Sequence, residues 1–228
     1  MISIVIPVYN EEKVIDACLD SLATQQPPPD EIVIADNNST DQTLARIEAA
    51  RGRYPGVPIH VVNAPTQGIP FAREVAWRNS SGDWIIQADA DMIAPAGWLA
   101  RIKASLNEDT DVIHGTVHFE HAPLHISIIR VLYDVLYPPL TRRVYGFPAM
   151  NGCMLVIRRS VLEKIDGYRH HQTGMSDDRY FAEAAYRAGA KIRYRPDIYV
   201  IHSLRRYRQG GLREFLFWGA NDTPKNYR

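Results

Sequence analysis

The chain has 228 residues, of which 46% are hydrophobic, enough to bury the core of one large domain. Lys plus Arg and Asp plus Glu each number 26, so the net charge is zero and excludes a general attraction to nucleic acid or to anionic membranes. Two cysteines, Cys18 and Cys153, are too few for a disulfide framework or a cysteine zinc site. Both are predicted to be buried thiols in a reducing compartment.

The N-terminal segment is an apolar strand that Pro7 and Asn10 interrupt too early for a signal peptide or a membrane span. We therefore expect a cytoplasmic chain, with peripheral contact at the inner face of the membrane as a further option.

Strand-like and helix-like segments alternate through the first half, which predicts an α/β fold with a mostly parallel central sheet and helices on both faces. Gly68 opens a helix, and a capping box at Ser39–Gln42 is predicted to open another. The predicted strands are 2–9, 31–37, 59–64 and 83–91, and the helix after the first strand has apolar residues at 14, 15, 18, 19 and 22 on one face.

The second half is less regular. A helix over 122–140 is predicted to stop at Pro138 and Pro139, and two shorter helices are predicted to end at Gly167 and Gly189. Strands are predicted over 111–119 and 151–159, followed by an extended segment over 191–203.

Polar residues follow the predicted parallel strands at one rim of the sheet. Asp89 and Asp91 lie two positions apart on extended chain, so both carboxylates point to the same side, where their repulsion is costly unless a cation lies between them. Such a pair suits Mg²⁺ or Mn²⁺ bound to a diphosphate. The alternative is a solvated strand end. The chain has a second such pair, Asp109 and Asp111, whose polar neighbours suggest a loop. The rim gathers Tyr9, Glu11, Asp36, Asn38, Asp89 and Asp91.

Asp36 ends the second strand, where nucleotide-binding α/β folds commonly hold a ribose or a base; a turn or cap before Ser39 is the alternative. The chain contains neither a Walker lysine loop nor a G-x-G-x-x-G motif. A P-loop ATPase or a dinucleotide dehydrogenase therefore has no local support.

Four segments together resemble glycosyltransferase family 2, which has the GT-A fold: PVYNEE (7–12), DNNSTD (36–41), QADADM (87–92) and SDDRYF (176–181). The resemblance implies a metal-dependent, inverting enzyme that moves a sugar from a nucleoside diphosphate sugar, UDP ahead of GDP, to a hydroxyl of a glycan or lipid-linked acceptor. It implies a GT-A domain over 1–203, with a nucleotide-binding half (1–107) and an acceptor and catalytic-base half (108–203). Residues 204–228 would form a basic, aromatic C-terminal segment.

The resemblance also assigns residues on the donor side. Asp91 is the main metal ligand, and His202 completes the metal shell, against the alternative of a structural histidine. Arg73 faces the nucleotide or diphosphate, against the alternative of an exposed helix arginine. The nucleotide-binding residues are Pro7, Tyr9, Glu11, Asp36, Arg73 and Asp89.

On the acceptor side, Asp178 aligns with the base that removes a proton from the acceptor hydroxyl. Asp177 stands where Glu or Asp is usual in the family and is assigned to the donor and acceptor pocket. Favourable placement or capping at a helix start is the alternative for both aspartates. Asn151 and Gly152 resemble a segment lining the donor-sugar pocket, or form a plain turn. A diphosphate clamp would come from Arg205, Arg206 and Arg208, against the alternative of a solvated charged face.

The apolar segments 125–137 and 215–218 match no motif. Core packing, an acceptor groove, membrane contact and a partner chain in a homodimer remain open for them. Two other functions also remain open: a nucleotidyltransferase on a related fold, and a non-catalytic module that binds nucleotide or glycan.

Overall fold

The computed structural model describes residues 1–120, 122–169, 171 and 176–202, without the side chains of 124–127 and 131. Every predicted strand and helix is present, and β5 and α4 are additional. The elements are β1 (Ile2–Val8), α1 (Ile15–Ala23), β2 (Glu31–Asp36), α2 (Thr43–Arg53), β3 (Ile59–Asn63), α3 (Ile69–Arg78), β4 (Trp84–Ala88), β5 (Met92–Ile93), α4 (Trp98–Ser105), β6 (Val112–Phe119), α5 (Leu124–Tyr145), β7 (Met154–Arg158), α6 (Arg159–Ile165), α7 (Asp177–Arg187) and β8 (Ile192–His202).

One eight-stranded sheet has the order β3-β2-β1-β4-β7-β6-β8-β5. The neighbours β3, β2, β1 and β4 are all parallel, β6 and β8 are parallel, and β7 runs antiparallel to β4 and β6. The chain moves outward from β1 to β3 and returns to β4 on the other side of β1. Strand order therefore reverses between β1 and β4, and open α/β sheets bind ligands beyond the carboxyl ends of the strands at such a point.

Two apolar cores cover the two faces of the sheet. Because side chains alternate along a strand, β1 sends Ile4 and Ile6 to one face and Val5 to the other. Helices α1, α2 and α4 cover the first face, while α3, α6 and α7 cover the second. The predicted α/β sheet with helices on both faces is confirmed. The division at residues 107 and 108 stays a prediction.

Helix α5 continues through Pro138 and Pro139 to Tyr145, so the predicted stop at the prolines is wrong. Proline removes a backbone donor but does not forbid a helix when the following turn is held by other contacts. The Thr141 hydroxyl provides these contacts, donating to the Pro138 carbonyl at 3.0 Å and accepting from the Ala149 amide at 2.8 Å. Gly146, in the left-handed conformation, ends the helix.

The predicted capping box before α2 is also wrong. The helix begins at Thr43 with no side-chain cap from Gln42, and Asp41 accepts a hydrogen bond from the Thr43 amide at 2.9 Å. The Ser39 hydroxyl instead accepts from the Asn10 amide at 3.1 Å. Ser39 therefore ties the loop after β2 to the loop after β1.

Candidate active site

The ends of β1 and β2 form a fixed rim. The Thr40 amide donates to the Asn10 side-chain carbonyl at 2.8 Å, and the Glu11 amide donates to the Thr43 hydroxyl at 2.8 Å. These bonds hold the two loops together. Tyr9 and Glu11 therefore lie beside the end of β2, as predicted.

Asp36 is buried at the carboxyl end of β2, and both of its carboxylate oxygens lie 3.3 Å from the Ser39 amide that donates to them. Asp36 therefore makes the turn before Ser39 that was given as the alternative to nucleotide binding. Pro7 stands in register with Ala35 on the neighbouring strand. The roles of Pro7, Tyr9, Glu11 and Asp36 in binding a nucleotide stay predictions.

Asp89 and Asp91 follow β4 and face a histidine. His202 is the last residue of β8, and the short strand β5 pairs with β8 so that Met92 lies opposite His202. One ring nitrogen of His202 is 3.4 Å from an Asp91 carboxylate oxygen, and the other is 3.8 Å from Asp89. The Asp91 side chain is 9% exposed and His202 is buried. Asp91 and His202 are therefore largely shielded from solvent, whereas 27% of the Asp89 side chain is exposed.

The donor atoms at this point fit a divalent cation. Single ligand atoms of Asp89, His202 and Cys153 lie within 4.8 Å of one another. Asp91, the predicted main ligand, is not in this group, and its carboxylate lies against the other ring nitrogen of His202 from the one that faces Asp89. Carboxylate and imidazole ligands suit Mn²⁺, and carboxylates suit Mg²⁺. Burial raises the pKa of the Cys153 thiol well above its usual value, and the nearby Asp89 adds to this.

Arg73 connects this group to the start of α7. It is buried, so the alternative of an exposed helix arginine is wrong. Its guanidinium donates to Asp89 at 2.9 Å, pairs with Asp177, and lies 3.4 Å from Asp178. Burial would lower the pKa of Arg73, but the charges of Asp89 and Asp178 outweigh it and raise the pKa. Arg73 therefore remains a cation in contact with three aspartates.

The first turn of α7 separates the roles of its two aspartates. Ser176 caps the helix by accepting a hydrogen bond from the Arg179 amide at 3.3 Å, so neither aspartate is the cap. Asp177 is buried against Arg73, whereas the Asp178 side chain is 40% exposed. Asp178 is therefore the carboxylate of the two that a substrate can reach.

The Asn151–Gly152 turn lies directly against Asp178. A Cβ atom at Gly152 would come within 1.4 Å of an Asp178 carboxylate oxygen. The turn is held by hydrogen bonds that the sequence analysis missed: Arg130 donates to the Asn151 side chain at 2.7 Å, and Gln87 donates to the Gly152 carbonyl at 2.7 Å. One signal could have identified both Arg130 and Gln87: each is a polar side chain within an apolar helix or strand.

Two predicted groups cannot be placed. The clamp residues Arg205, Arg206 and Arg208 and the aromatic segment 215–218 lie outside the described residues. In the part of the chain that the structure describes, no helix is long and apolar enough to cross a membrane.

Comparison with known proteins decides the family. The family model described as Glycosyl transferase family 2 matches residues 3–166, which is more than half of the chain. The chain belongs to glycosyl transferase family 2. Among its curated relatives is the undecaprenyl-phosphate 4-deoxy-4-formamido-L-arabinose transferase of Serratia proteamaculans, which is 32% identical over 167 residues, covering 71% of this chain and 50% of that protein.

Solved structures share the fold of this family 2 chain. The mannosyltransferase PcManGT from Pyrobaculum calidifontis, in complex with GDP-Man and Mn²⁺, has a TM-score of 0.71 and 23% identity, covering 88% of this chain and 56% of that one. TarS 1-349 of S. aureus, in complex with UDP-GlcNAc, has a TM-score of 0.66 and 23% identity, covering 89% and 58%. The predicted GT-A fold is confirmed. The chain spans little more than half the length of these proteins.

Proposed function

We propose that this chain is a metal-dependent, inverting glycosyltransferase that uses a nucleoside diphosphate sugar, with UDP preferred to GDP, and a hydroxyl acceptor. The bond between the anomeric carbon and the diphosphate oxygen breaks, and a bond from the acceptor oxygen to that carbon forms. The acceptor proton leaves to a carboxylate. Glycan, polysaccharide or glycolipid synthesis is the setting in which such a product belongs.

One observation carries this proposal: a single buried guanidinium contacts both the aspartate beside the metal ligands and the aspartate assigned as base. Arg73 binds Asp89 at 2.9 Å and lies 3.4 Å from Asp178. An in-line displacement needs its base within hydrogen-bond reach of the acceptor hydroxyl and its stabilising charge at the leaving diphosphate. The contacts of one guanidinium with both Asp89 and Asp178 support the proposal that these two groups belong to the same site.

The charge balance of the site favours a bound cation. Asp89, Asp91, Asp177 and Asp178 carry four negative charges and Arg73 one positive charge, which leaves these five side chains with a net charge of −3. Asp91 and His202, with Asp89, would hold Mn²⁺ or Mg²⁺. When bound, the ion supplies positive charge that stabilises the diphosphate as it leaves.

The remaining work belongs to side chains and backbone. Asp178 accepts the acceptor proton and, being 40% exposed, can release it to solvent. Asn151 and Gly152 line the sugar pocket beside it, and Arg73 holds both ends of the site at fixed separation. Pro7, Tyr9, Glu11 and Asp36 bind the base and ribose at the other end of the rim.

The comparisons support the donor and acceptor classes without fixing either. The similar structures contain GDP-Man or UDP-GlcNAc, both of which are nucleoside diphosphate sugars. The name of the Serratia relative contains a lipid phosphate. Both classes of acceptor, a glycan and a lipid-linked acceptor, therefore belong in an activity screen.

The substitution Asp178→Asn tests the proposed base. Transfer from UDP-sugars and GDP-sugars should fall by about 100- to 10,000-fold, because the amide cannot accept the proton. Metal-dependent nucleotide binding, followed by thermal shift, should persist. Glu183→Gln, on the same helix, is the matched control and should keep wild-type turnover. Unchanged turnover in Asp178→Asn would reject the assignment, and nucleotide binding without any wild-type transfer would favour a non-catalytic module.

A further inference from the structure

The outer face of α5 is apolar for most of its length. Asp134 and Thr141 are buried on the inner face, and Arg130 is nearly so. On the outer face, Pro139 is exposed, and nine large apolar side chains are between 37% and 61% exposed: Ile128, Leu132, Tyr133, Val135, Leu136, Tyr137, Leu140, Val144 and Tyr145. Single exposed apolar residues are normal, but a continuous face of this kind marks a contact surface.

Three arginines border the C-terminal end of this face. Arg142 and Arg143 lie in the last turn of α5 and are exposed. Arg179, from α7, is also exposed, and its guanidinium lies 4.4 Å from the centre of the Tyr145 ring. No ion pair joins any of the three to a carboxylate among the described residues. The apolar face therefore ends in a group of positive charges.

We propose that this face of α5 rests on an anionic lipid bilayer, with its apolar side chains in the interfacial layer and Arg142, Arg143 and Arg179 against lipid phosphates. An interfacial helix of this kind has apolar residues on one face and cations beside them. The inner face, with the Arg130–Asp134 ion pair at 2.6 Å, stays packed on the protein.

Charge favours lipid over the chain's own C-terminal segment as the occupant. Residues 204–228 contain six Lys or Arg and only two Asp or Glu, so they match the arginine group in sign. The negative phosphates of an anionic bilayer complement the positive charge of both the arginine group and residues 204–228. A second copy of the chain that docked through the same face would present the same arginines.

The face is also continuous with the proposed catalytic centre. Arg130 of α5 bonds Asn151, whose neighbour Gly152 contacts Asp178, and Arg179 directly follows Asp178. An acceptor carried by a lipid in that bilayer would reach Asp178 from the membrane side. This consequence for the acceptor rests on the proposed function, whereas the membrane contact does not.

Sedimentation of the full chain with lipid vesicles tests the proposal. The wild type should sediment with vesicles of phosphatidylcholine mixed with phosphatidylglycerol, and more weakly with phosphatidylcholine alone. The double variant Leu132→Glu, Leu136→Glu should bind at least about tenfold more weakly. The matched control Leu44→Glu, Val61→Glu changes two exposed apolar residues elsewhere and should bind as the wild type does.

Replacing Arg142 and Arg143 by Gln should weaken binding to the anionic vesicles about 30-fold, since each cation near such a surface contributes a several-fold gain. Melting curves confirm that each variant is folded. Asp178→Asn should sediment normally, so loss of catalysis and loss of membrane binding are separate outcomes. The proposal is overturned if the wild type stays in the supernatant or if the variant Leu132→Glu, Leu136→Glu sediments like the wild type. It is also overturned if light scattering shows a dimer of the wild type that this same variant breaks.

Discussion

Gly152 sits where the structure leaves no room for a side chain. The Asp178 carboxylate occupies the space that a Cβ atom at Gly152 would need, at 1.4 Å. Glycine is required here by close approach and not by an unusual backbone angle. The contact fixes how near the proposed base can come to the turn that lines the sugar pocket.

Gly152→Ala is expected to displace Asp178 and reduce transfer by about 100-fold or more, because a small misplacement of a reacting group has effects of that size. Gly52→Ala is the control, since no atom lies within 4 Å of a Cβ atom at that position. Turnover at saturating donor and acceptor is the measurement. Equal turnover in the two variants would show that catalysis does not depend on the position that the Asp178 carboxylate occupies beside Gly152.

Sequence reasoning at the scale of residues identified the charged groups but not their partners. Asp89, Asp91, Asp178 and His202 stood out from position and motif. Arg73 contacts three aspartates, and its contacts with Asp177 and Asp178 join α3 to residues more than 100 positions away, a separation that no local pattern encodes.

At the scale of elements, the strands and helices with a clear period were predicted correctly because burial imposes that period. The two-residue strand β5 was missed, since it is defined by pairing with β8 and not by its own sequence. The end of α5 was misplaced because proline is only a local signal. The contacts of Thr141 that hold the last turn are tertiary.

The contact between β6 and α5 contains a histidine that should make stability depend on pH. His114 is buried beside Asp134 and the ring of Tyr194. Burial lowers the pKa of His114 to about 4, although the charge of Asp134 partly opposes this. In the unfolded chain the pKa is about 6.5. Between these values the unfolded state binds more protons, so the free energy of unfolding falls as the pH is lowered from 6.5 to 4.

The variant His114→Phe removes this proton uptake and keeps a ring against Tyr194. Urea unfolding between pH 7.5 and 4.5 should show a loss of stability that is smaller than in the wild type by up to roughly 3 kcal/mol. His118→Phe, at an exposed position of the same strand, is the control and should keep the wild-type slope. A slope unchanged by His114→Phe would mean that the histidine is protonated in the folded state.

For the whole molecule, the sequence predicted the fold class and the rim that carries the polar residues. It did not predict that β7 runs antiparallel between β4 and β6, although this strand carries the Asn151–Gly152 turn to the base. Strand order depends on how distant segments pair, and the sequence of an apolar strand does not indicate whether it pairs parallel or antiparallel to its neighbours. Motifs therefore predicted which residues belong to the site. They did not predict how β7, α7 and β8 bring those residues together.

Calorimetric titration of UDP and GDP, with and without Mn²⁺, tests the central claim most directly, namely that the carboxylates at the sheet rim hold a divalent cation and with it a nucleoside diphosphate. The wild type should bind only when the metal is present. Asp91→Asn should bind at least about tenfold more weakly. Asp109→Asn, an exposed aspartate of the other Asp-x-Asp pair, should bind like the wild type. Equal binding without metal, or wild-type affinity in Asp91→Asn, would contradict the account.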